Sequence, residues 1–547
     1  GRKENNPLPS KEDNWIIRGI MSTYNGIIYE TSRNYFQSLE QGEIKQPQEI
    51  EQELLDLIAE KFALQNLTRT KEDRFRVPCK LPNFVIAQAV LHTEYVRQIR
   101  FSNGESTLLC IYQKSGNNKG IYVDSEEMIR SKIRQFNMSI DRKGIQEVIA
   151  ILEENAPVVM QNQAPDLIAV RNGIFNYKTK VLQPFSPEIV VTSKTDIDYV
   201  ANAQNPVIHN PNDGTDWDVE SWIESLSDDP GVVRLLWQLL GAVIRPHVRW
   251  NKTAFLYSEQ GNNGKGTLCE LLRNVCGKRR CASISIANFA KDFMLEPLTK
   301  SLAVIVDENP TNVVVKNAAN FKAAITGDVL QINRKYKQAI DCSFRGMIVQ
   351  CINALPKFED NSESIYRRLL IIPFQKCFTG QERQYIKEDY LNRQDVLEYV
   401  VYRALNQPDY YEFTSVSACQ KMLRQYQEFN DPVREYLDEM LPAFQWDLVP
   451  YAFMYDLYKK WLAKNYPTEA PLGRNIFVRK IRQQLAKDPV WEALQSSVKP
   501  GKMMDKSENL MLEWDLREWI DSSDVTEEGS PVCQVVRKES YMGIRRR

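Results

Sequence analysis

Residues 255–267 read Phe255-Leu256-Tyr257-Ser258-Glu259-Gln260-Gly261-Asn262-Asn263-Gly264-Lys265-Gly266-Thr267: the close of a short apolar strand, a polar glycine-rich turn and the start of a helix expected over 267–275. In such a turn the backbone amides can wrap a polyphosphate, and the helix N-terminus adds positive potential. Lys265 is placed to neutralise the β and γ phosphates. The consensus GxxxxGK[ST] is met only in part, because Glu259 stands at its first glycine and Gly266 follows the lysine where a metal-ligating hydroxyl is usual. Thr267, one residue later, is therefore a candidate for either the metal or a phosphate. The plain alternative is a surface loop rich in Gly and Asn that happens to carry a lysine.

The residues that follow supply what such a loop lacks. The apolar run 302–306 ends in Asp307-Glu308, one carboxylate to hold magnesium and a neighbour to orient or deprotonate an attacking water. A second run, 347–352, interrupted only by Gln350, ends in Asn353, placed to share that water or sense a γ phosphate. Arg367-Arg368 then precede another apolar run, and one of them can act as an arginine finger on a neighbouring subunit's nucleotide. Short apolar runs separated by helical segments are the mark of buried parallel strands. The middle third is expected to be an α/β domain.

Two basic features are candidates for nucleic acid. The alternation Leu330, Gln331, Ile332, Asn333 predicts a strand, with Arg334-Lys335-Tyr336-Lys337 as a hairpin tip that offers three cations and one aromatic. Residues 471–490 carry Arg474, Arg479, Lys480, Arg482 and Lys487 against the single acid Asp488, above an apolar stripe of Ile476, Phe477, Ile481 and Leu485. Arg479, Lys480 and Arg482 are the DNA candidates there; a solvated face is the plain alternative in both places.

Composition sets the frame. At roughly 150 residues per domain, 547 residues imply three to four domains. With 43% apolar and 26% charged residues the chain is an ordinary globular one. Its 70 basic and 71 acidic residues cancel to −1, so nucleic acid must be gripped by a local surface. The longest apolar stretches fall far short of the roughly 20 residues that span a bilayer, and no signal peptide is visible. Ten cysteines without a CxxC pair and three histidines leave no zinc pattern and fit an intracellular, cytoplasmic setting. The first residue is Gly1, which reads as a cleavage scar or a piece of something longer.

Taken together, Gly261 to Thr267, Val306-Asp307-Glu308, Gly327-Asp328 through Lys337, Cys351-Ile352-Asn353-Ala354-Leu355-Pro356 and Arg367-Arg368-Leu369 with Ile372-Pro373-Phe374 resemble the superfamily 3 helicases. The resemblance is closer to the helicase part of phage and plasmid primase-helicases, related to the poxvirus primase-NTPase. Upstream, the stretch from Pro165-Asp166-Leu167 to Phe175 and Pro184-Phe185-Ser186-Pro187 are similar to that family's pre-motor domain.

The resemblance implies a multidomain α/β protein with a central AAA+ domain on a parallel sheet, mixed α+β and helical regions before it and a winged-helix-like domain after it. The expected division is a lead-in over 1–14, a segment of unknown role over 15–119, a pre-motor domain over 120–250, the ATPase over 251–378, a helical connector over 379–430 and the winged-helix-like domain over 431–547. It also implies ATP and Mg2+ as cofactors, single-stranded and forked DNA as partners, and a homo-hexameric ring that pulls one strand through its channel, without a membrane. Two acidic pairs before the motor, Asp196 with Asp198 and Asp216 with Asp218, read as structural, so if the parent protein primes DNA that active site is expected upstream of Gly1, and a primase or polymerase domain or subunit is a candidate partner. The alternatives are a replication initiator that melts an origin without processive unwinding, and a small-molecule phosphotransferase.

Overall fold

A computed structural model describes residues 23–39, 45–311, 313–335, 337–358, 363–429, 431–467, 470–520 and 538–547. At its centre is a sheet of five parallel strands: β1 (Thr253–Tyr257), β2 (Cys281–Ala282), β3 (Ala303–Val306), β4 (Met347–Ile352) and β5 (Leu369–Pro373), in the order β2-β3-β4-β1-β5. Strands β3 and β4 are buried at every position, as parallel strands covered on both faces must be. The one polar residue in β4, Gln350, is wholly buried; its amide donates to Ile284 O at 3.0 Å and its oxygen accepts from Asn309 Nδ2 at 2.9 Å. That pairing is why a glutamine survives inside an apolar strand.

Before the sheet lie three helices, Tyr24–Ser38, Pro47–Asn66 and Asn83–Thr93, then a four-stranded sheet with Val96–Arg100 between Leu108–Tyr112 and Val158–Met160. The helical run expected over 125–154 is two helices, Glu126–Phe136 and Arg142–Asn155. The break falls where Asp141 caps the second by accepting from Gly144 N, a job that requires non-helical backbone. Likewise 217–244 divides into Val219–Ser225 and Pro230–Ala242, where Asp229 is the N-cap and Pro230 opens the second helix.

The cores cross the sequence borders. Val219, Leu235 and Leu240 pack in one cluster with Leu256, Leu268 and Val349 of the central sheet and its first helix, and with Val396, Val400 and Leu405 beyond it. Arg245, fully buried, ties the same regions by donating to Tyr410 O at 2.9 Å with its guanidinium 3.6 Å from the Tyr177 ring. The opposite face of the sheet packs on Ile99, Phe101 and Cys110 of the N-terminal sheet.

Residues 432–546 have their own core. Helix Pro432–Met440, strand Leu448–Pro450, helices Tyr451–Asn465 and α2 (Arg474–Gln484), and strands Trp491–Ala493 and Gly543–Arg546 follow in that order, with the last strand in the middle of the three. Tyr458 stacks on Phe477 with ring centroids 4.6 Å apart, holding α2 against the preceding helix. Among the described residues no helix is long and apolar enough to cross a membrane. The acidic loop and part of the C-terminal segment, 521–537, lie outside the described residues, as does the lead-in 1–14.

Candidate functional site

The turn after β1 is held open by its own side chains. Asn262 and Gly264 both take positive φ, +53° and +86°, and α1 (Lys265–Cys276) begins at once after Gly264. A Cβ on Gly264 would stand 2.6 Å from Leu226 Cδ2, so this position needs glycine for conformation and for space. Asn263 is buried; its amide donates to Gln260 O at 2.5 Å and its oxygen accepts from Lys265 N at 3.2 Å. Asn262 fastens the outer side, donating to Glu382 Oε1 at 3.0 Å while its carbonyl accepts from Phe378 N at 2.7 Å. Glu259, where the consensus has glycine, accepts from the Tyr257 hydroxyl at 2.8 Å. Gly261 has open space where a Cβ would sit.

Parallel strands of matched register bring the other candidates to the same edge. Tyr257 pairs with Ile352 and Val306 with Gln350, so Ser258, Asp307 and Asn353 all leave the sheet together at its carboxyl end. Lys265 is 6% exposed, and its ammonium donates to Ser258 O at 3.0 Å and to Asn353 Oδ1 at 2.9 Å. Burial holds its pKa below the ordinary lysine value.

Asp307 and Glu308 are exposed. Arg273, eight residues after Lys265 on α1, grips the Asp307 carboxylate with both terminal nitrogens at 3.0 and 3.1 Å, and that hydrogen bonding holds Asp307 below its ordinary value despite partial burial. Asn309, buried, fixes the turn behind the pair: it donates to Cys351 O at 2.9 Å and accepts from Ile286 N at 3.2 Å. Neither Arg273 nor Asn309 stood out in the sequence, although Asn309 adjoins the acidic pair and Arg273 shares a helix with Lys265.

Arg367 and Arg368 part company. Arg367 is exposed and makes no side-chain hydrogen bond or ion pair among the described residues, whereas Arg368 is turned inward, donating to the carbonyl and the hydroxyl (2.9 Å) of Ser364.

The basic candidates also divide, and several expectations need correction. The hairpin forms, with strands Val329–Arg334 and Lys337–Ser343, but Arg334 is no tip residue. It is 9% exposed and pairs with Asp124 Oδ2 at 2.9 Å and Glu296 Oε1 at 3.5 Å, because it falls on the inward face of its strand with Leu330 and Ile332. Lys335 and Lys337 are exposed; Tyr336 lies outside the described residues.

On α2, Arg479 is exposed, whereas Lys480 pairs with Asp431 at 2.8 Å and Arg482 donates to Leu494 O at 3.3 Å. Ile476 is 43% exposed and so leaves the apolar stripe, which consists of Phe477, Ile481 and Leu485. The acidic pairs before the sheet are engaged structurally. Asp196 accepts from Arg280, Asp198 from Arg171, Asp216 from His209, and Asp218 caps the helix that begins at Val219.

The donor set suits a magnesium nucleoside triphosphate. It combines the Lys265 ammonium and the backbone at the start of α1, the Thr267 hydroxyl in the first turn, and the exposed Asp307 carboxylate, which Arg273 grips, at the neighbouring strand end. The chain matches three family models: the D5 N terminal like family over residues 26–228, a family of unknown function (DUF5906) over 256–368, and the poxvirus D5 protein-like family over 428–519. The first reaches back into the segment that the sequence alone left without a relative. The chain is 22% identical over 303 residues to L207/L206 of Acanthamoeba polyphaga mimivirus, which is named as a helicase; the match takes in 53% of this chain and 30% of that protein, so the chain spans under a third of its length. Among solved structures it resembles the apo C-terminal region of NrS-1 (15% identity, 83% of this chain and 99% of that one, TM-score 0.41). It also resembles the JCV helicase (15%, 41% and 63%, TM-score 0.25). Both superpositions are too loose to place any residue.

Proposed function

The chain belongs to the D5-like primase-helicase family, and from that premise we propose that it hydrolyses ATP to drive a ring of its own copies along single-stranded DNA. The observation that carries this reading is the meeting of Lys265, Asn353 and the Asp307-Glu308 pair at one edge of the five-stranded parallel sheet, above a glycine-rich helix start. The strand order, with the loop strand between β4 and β5, supports an AAA+ domain. The helix and strand order of residues 432–546 supports a winged-helix reading of the end.

In this mechanism Lys265 and the loop amides hold the triphosphate. Thr267 and Asp307 would hold Mg2+, which would screen the β and γ phosphate charge. Glu308 takes a proton from the attacking water. Asn353, released from Lys265 as the γ phosphate takes the lysine's ammonium, hydrogen-bonds that phosphate or the water. Arg367 reaches the neighbouring copy's nucleotide. Lys335 and Lys337, with Arg479 on α2, contact phosphates of DNA, a sequence-independent grip expected to weaken with salt.

The test is ATP turnover with and without single-stranded DNA, on the wild type and on Glu308→Gln, together with particle mass under ATP and unwinding of a tailed duplex lacking origin sequence. The reading expects DNA-stimulated turnover, its loss in the variant, a roughly six-fold assembly and unwinding. Turnover indifferent to DNA from a monomer overturns it; stimulation without unwinding favours an initiator.

A further inference from the structure

The glycine-rich loop stands at the carboxyl end of the central sheet; at the amino end, about 20 Å away along the six residues of β4, lies a separate cavity. Four stretches far apart in sequence wall it: Thr192 and Ser193 from well before the sheet, His247 ahead of β1, Thr299 and Ser301 just before β3, and Arg345 just before β4. The foot of the hairpin completes the wall, where Ser343 N donates to Phe101 O at 3.1 Å and so ties the hairpin to the N-terminal sheet. The chain is pressed close there. A Cβ on Gly346 would stand 2.2 Å from Leu302 O, so only glycine lets β3 and β4 start side by side.

Among the described residues no carboxylate lines this cavity. Arg345 is half-buried, its Nε is shut off from solvent without a partner, and it forms no hydrogen bond or ion pair among the described residues. The Ser193 hydroxyl is likewise buried and unpartnered. Thr192 Oγ1 accepts from Gln161 Nε2 at 2.6 Å, which leaves its own proton to donate. Burial and the nearby Arg249 pull the Arg345 guanidinium below its ordinary pKa, and burial with Arg345 holds His247 down at about 4. A guanidinium stays protonated all the same, so the fold carries a desolvated positive charge beside free donors. Buried polar groups are nearly always satisfied, and a guanidinium with no carboxylate against it suits an oxyanion. The cavity measures about 40 Å3 against the roughly 10–15 Å3 that one water needs, which fits a tetrahedral ion and excludes a nucleotide.

We propose that this cavity binds a phosphate-class oxyanion, with Arg345 as its charge partner and the Ser193 and Thr192 hydroxyls as further donors. The site is independent of the triphosphate reading. The bound ion joins the hairpin foot and the start of β4 to the segment before the sheet, and it is either free phosphate or one phosphate of a nucleic-acid backbone.

Calorimetric titration of the full chain with inorganic phosphate, in buffer free of phosphate and sulfate, tests the proposal. Lys265→Ala takes away the glycine-rich loop's own cation and is expected to keep one phosphate site per chain, whereas Arg345→Gln is expected to weaken that site at least tenfold. Ser193→Asp sets a carboxylate in the cavity and is expected to abolish the site while melting no lower than the wild type. It decides alone if Arg345→Gln fails to fold. Phosphate binding that survives either cavity substitution, binding that Lys265→Ala removes, or no binding at all overturns the proposal. Repeating the titration with a thymidine oligonucleotide present names the source: displaced phosphate assigns the cavity to a backbone phosphate, and undiminished binding assigns it to the free ion.

Discussion

Asn353 Oδ1 accepts a hydrogen bond from Lys265 Nζ at 2.9 Å, so the candidate γ-phosphate sensor and the loop lysine hold one another directly. A triphosphate must compete for that lysine, and the strength of the competitor is set by residue 353. Asn353→Asp replaces a neutral acceptor with a carboxylate, so that the bond from the ammonium becomes an ion pair, shorter and stronger than a bond with one charged partner. ATP binding to Asn353→Asp is expected to weaken about tenfold, while Asn353→Ala binds ATP nearly as the wild type does but turns it over slowly. Titration with a fluorescent nucleotide checks this. Equal binding by the two variants would show that the contact does not gate the lysine.

The two adjacent arginines should fail in different ways. Arg367→Ala is expected to keep its melting temperature and ATP affinity and to lose turnover by about 10³-fold, the scale of an arginine finger. Arg368→Ala removes the partner of the Ser364 carbonyl and is expected to lose about 1–3 kcal/mol of stability. Chemical denaturation beside an ATPase assay separates the pair, and a matching loss of stability in both would remove the case for Arg367.

Arg334 sits in a buried ion pair with Asp124, which joins the hairpin to the N-terminal sheet region. Asp124 is partly exposed and keeps Lys300 Nζ at 3.9 Å, so cutting its Arg334 side is expected to cost less than the loss of about 3–5 kcal/mol from a fully buried pair. Arg334→Ala should therefore melt early. Lys335→Ala and Lys337→Ala should melt with the wild type and bind single-stranded DNA more weakly, with a shallower salt dependence. An Arg334→Ala protein of full stability and reduced DNA affinity would return that residue to the DNA surface.

Lys194 is 1% exposed, donates to Lys119 O at 2.7 Å, and has its pKa pushed down by burial to about 8. Below pH 8 it is charged in both the folded and unfolded chain, at a cost to the folded one. As pH climbs from about 8 to 10.5 the folded lysine sheds its proton while the unfolded one keeps it, so the native state gains stability. Melting curves of wild type and Lys194→Met should converge or cross in the wild type's favour over that window. A constant difference between them would mean that burial does not shift this lysine.

Legibility in the sequence followed the range of the interaction. The strand ends at Tyr257, Val306 and Ile352 could be read because buried parallel strands are written as apolar runs, and the polar residue closing each run marks the sheet edge. The period-two pattern of the hairpin contained the correct place for Arg334, inward with Leu330 and Ile332, but the cation was read as a tip by its company of lysines. The Arg273 clamp on Asp307 spans 34 residues and the contact of Leu226 with Gly264 joins two segments, and no local period records either.

The core shared by residues on both sides of the central sheet bears on how the five-stranded domain can be moved between proteins. Cutting at residue 250 strips the cover from Leu256, Leu268 and Val349, and each large apolar side chain left bare forfeits about 1.5–3 kcal/mol. A few such losses match the whole stability of an ordinary domain. Because the opposite face is covered by Ile99 to Tyr122 and by Tyr426, the smallest transplantable unit runs from near residue 99 to near residue 426, and a chimera that swaps the glycine-rich loop and its strands alone inherits foreign flanks on a surface fitted to its own.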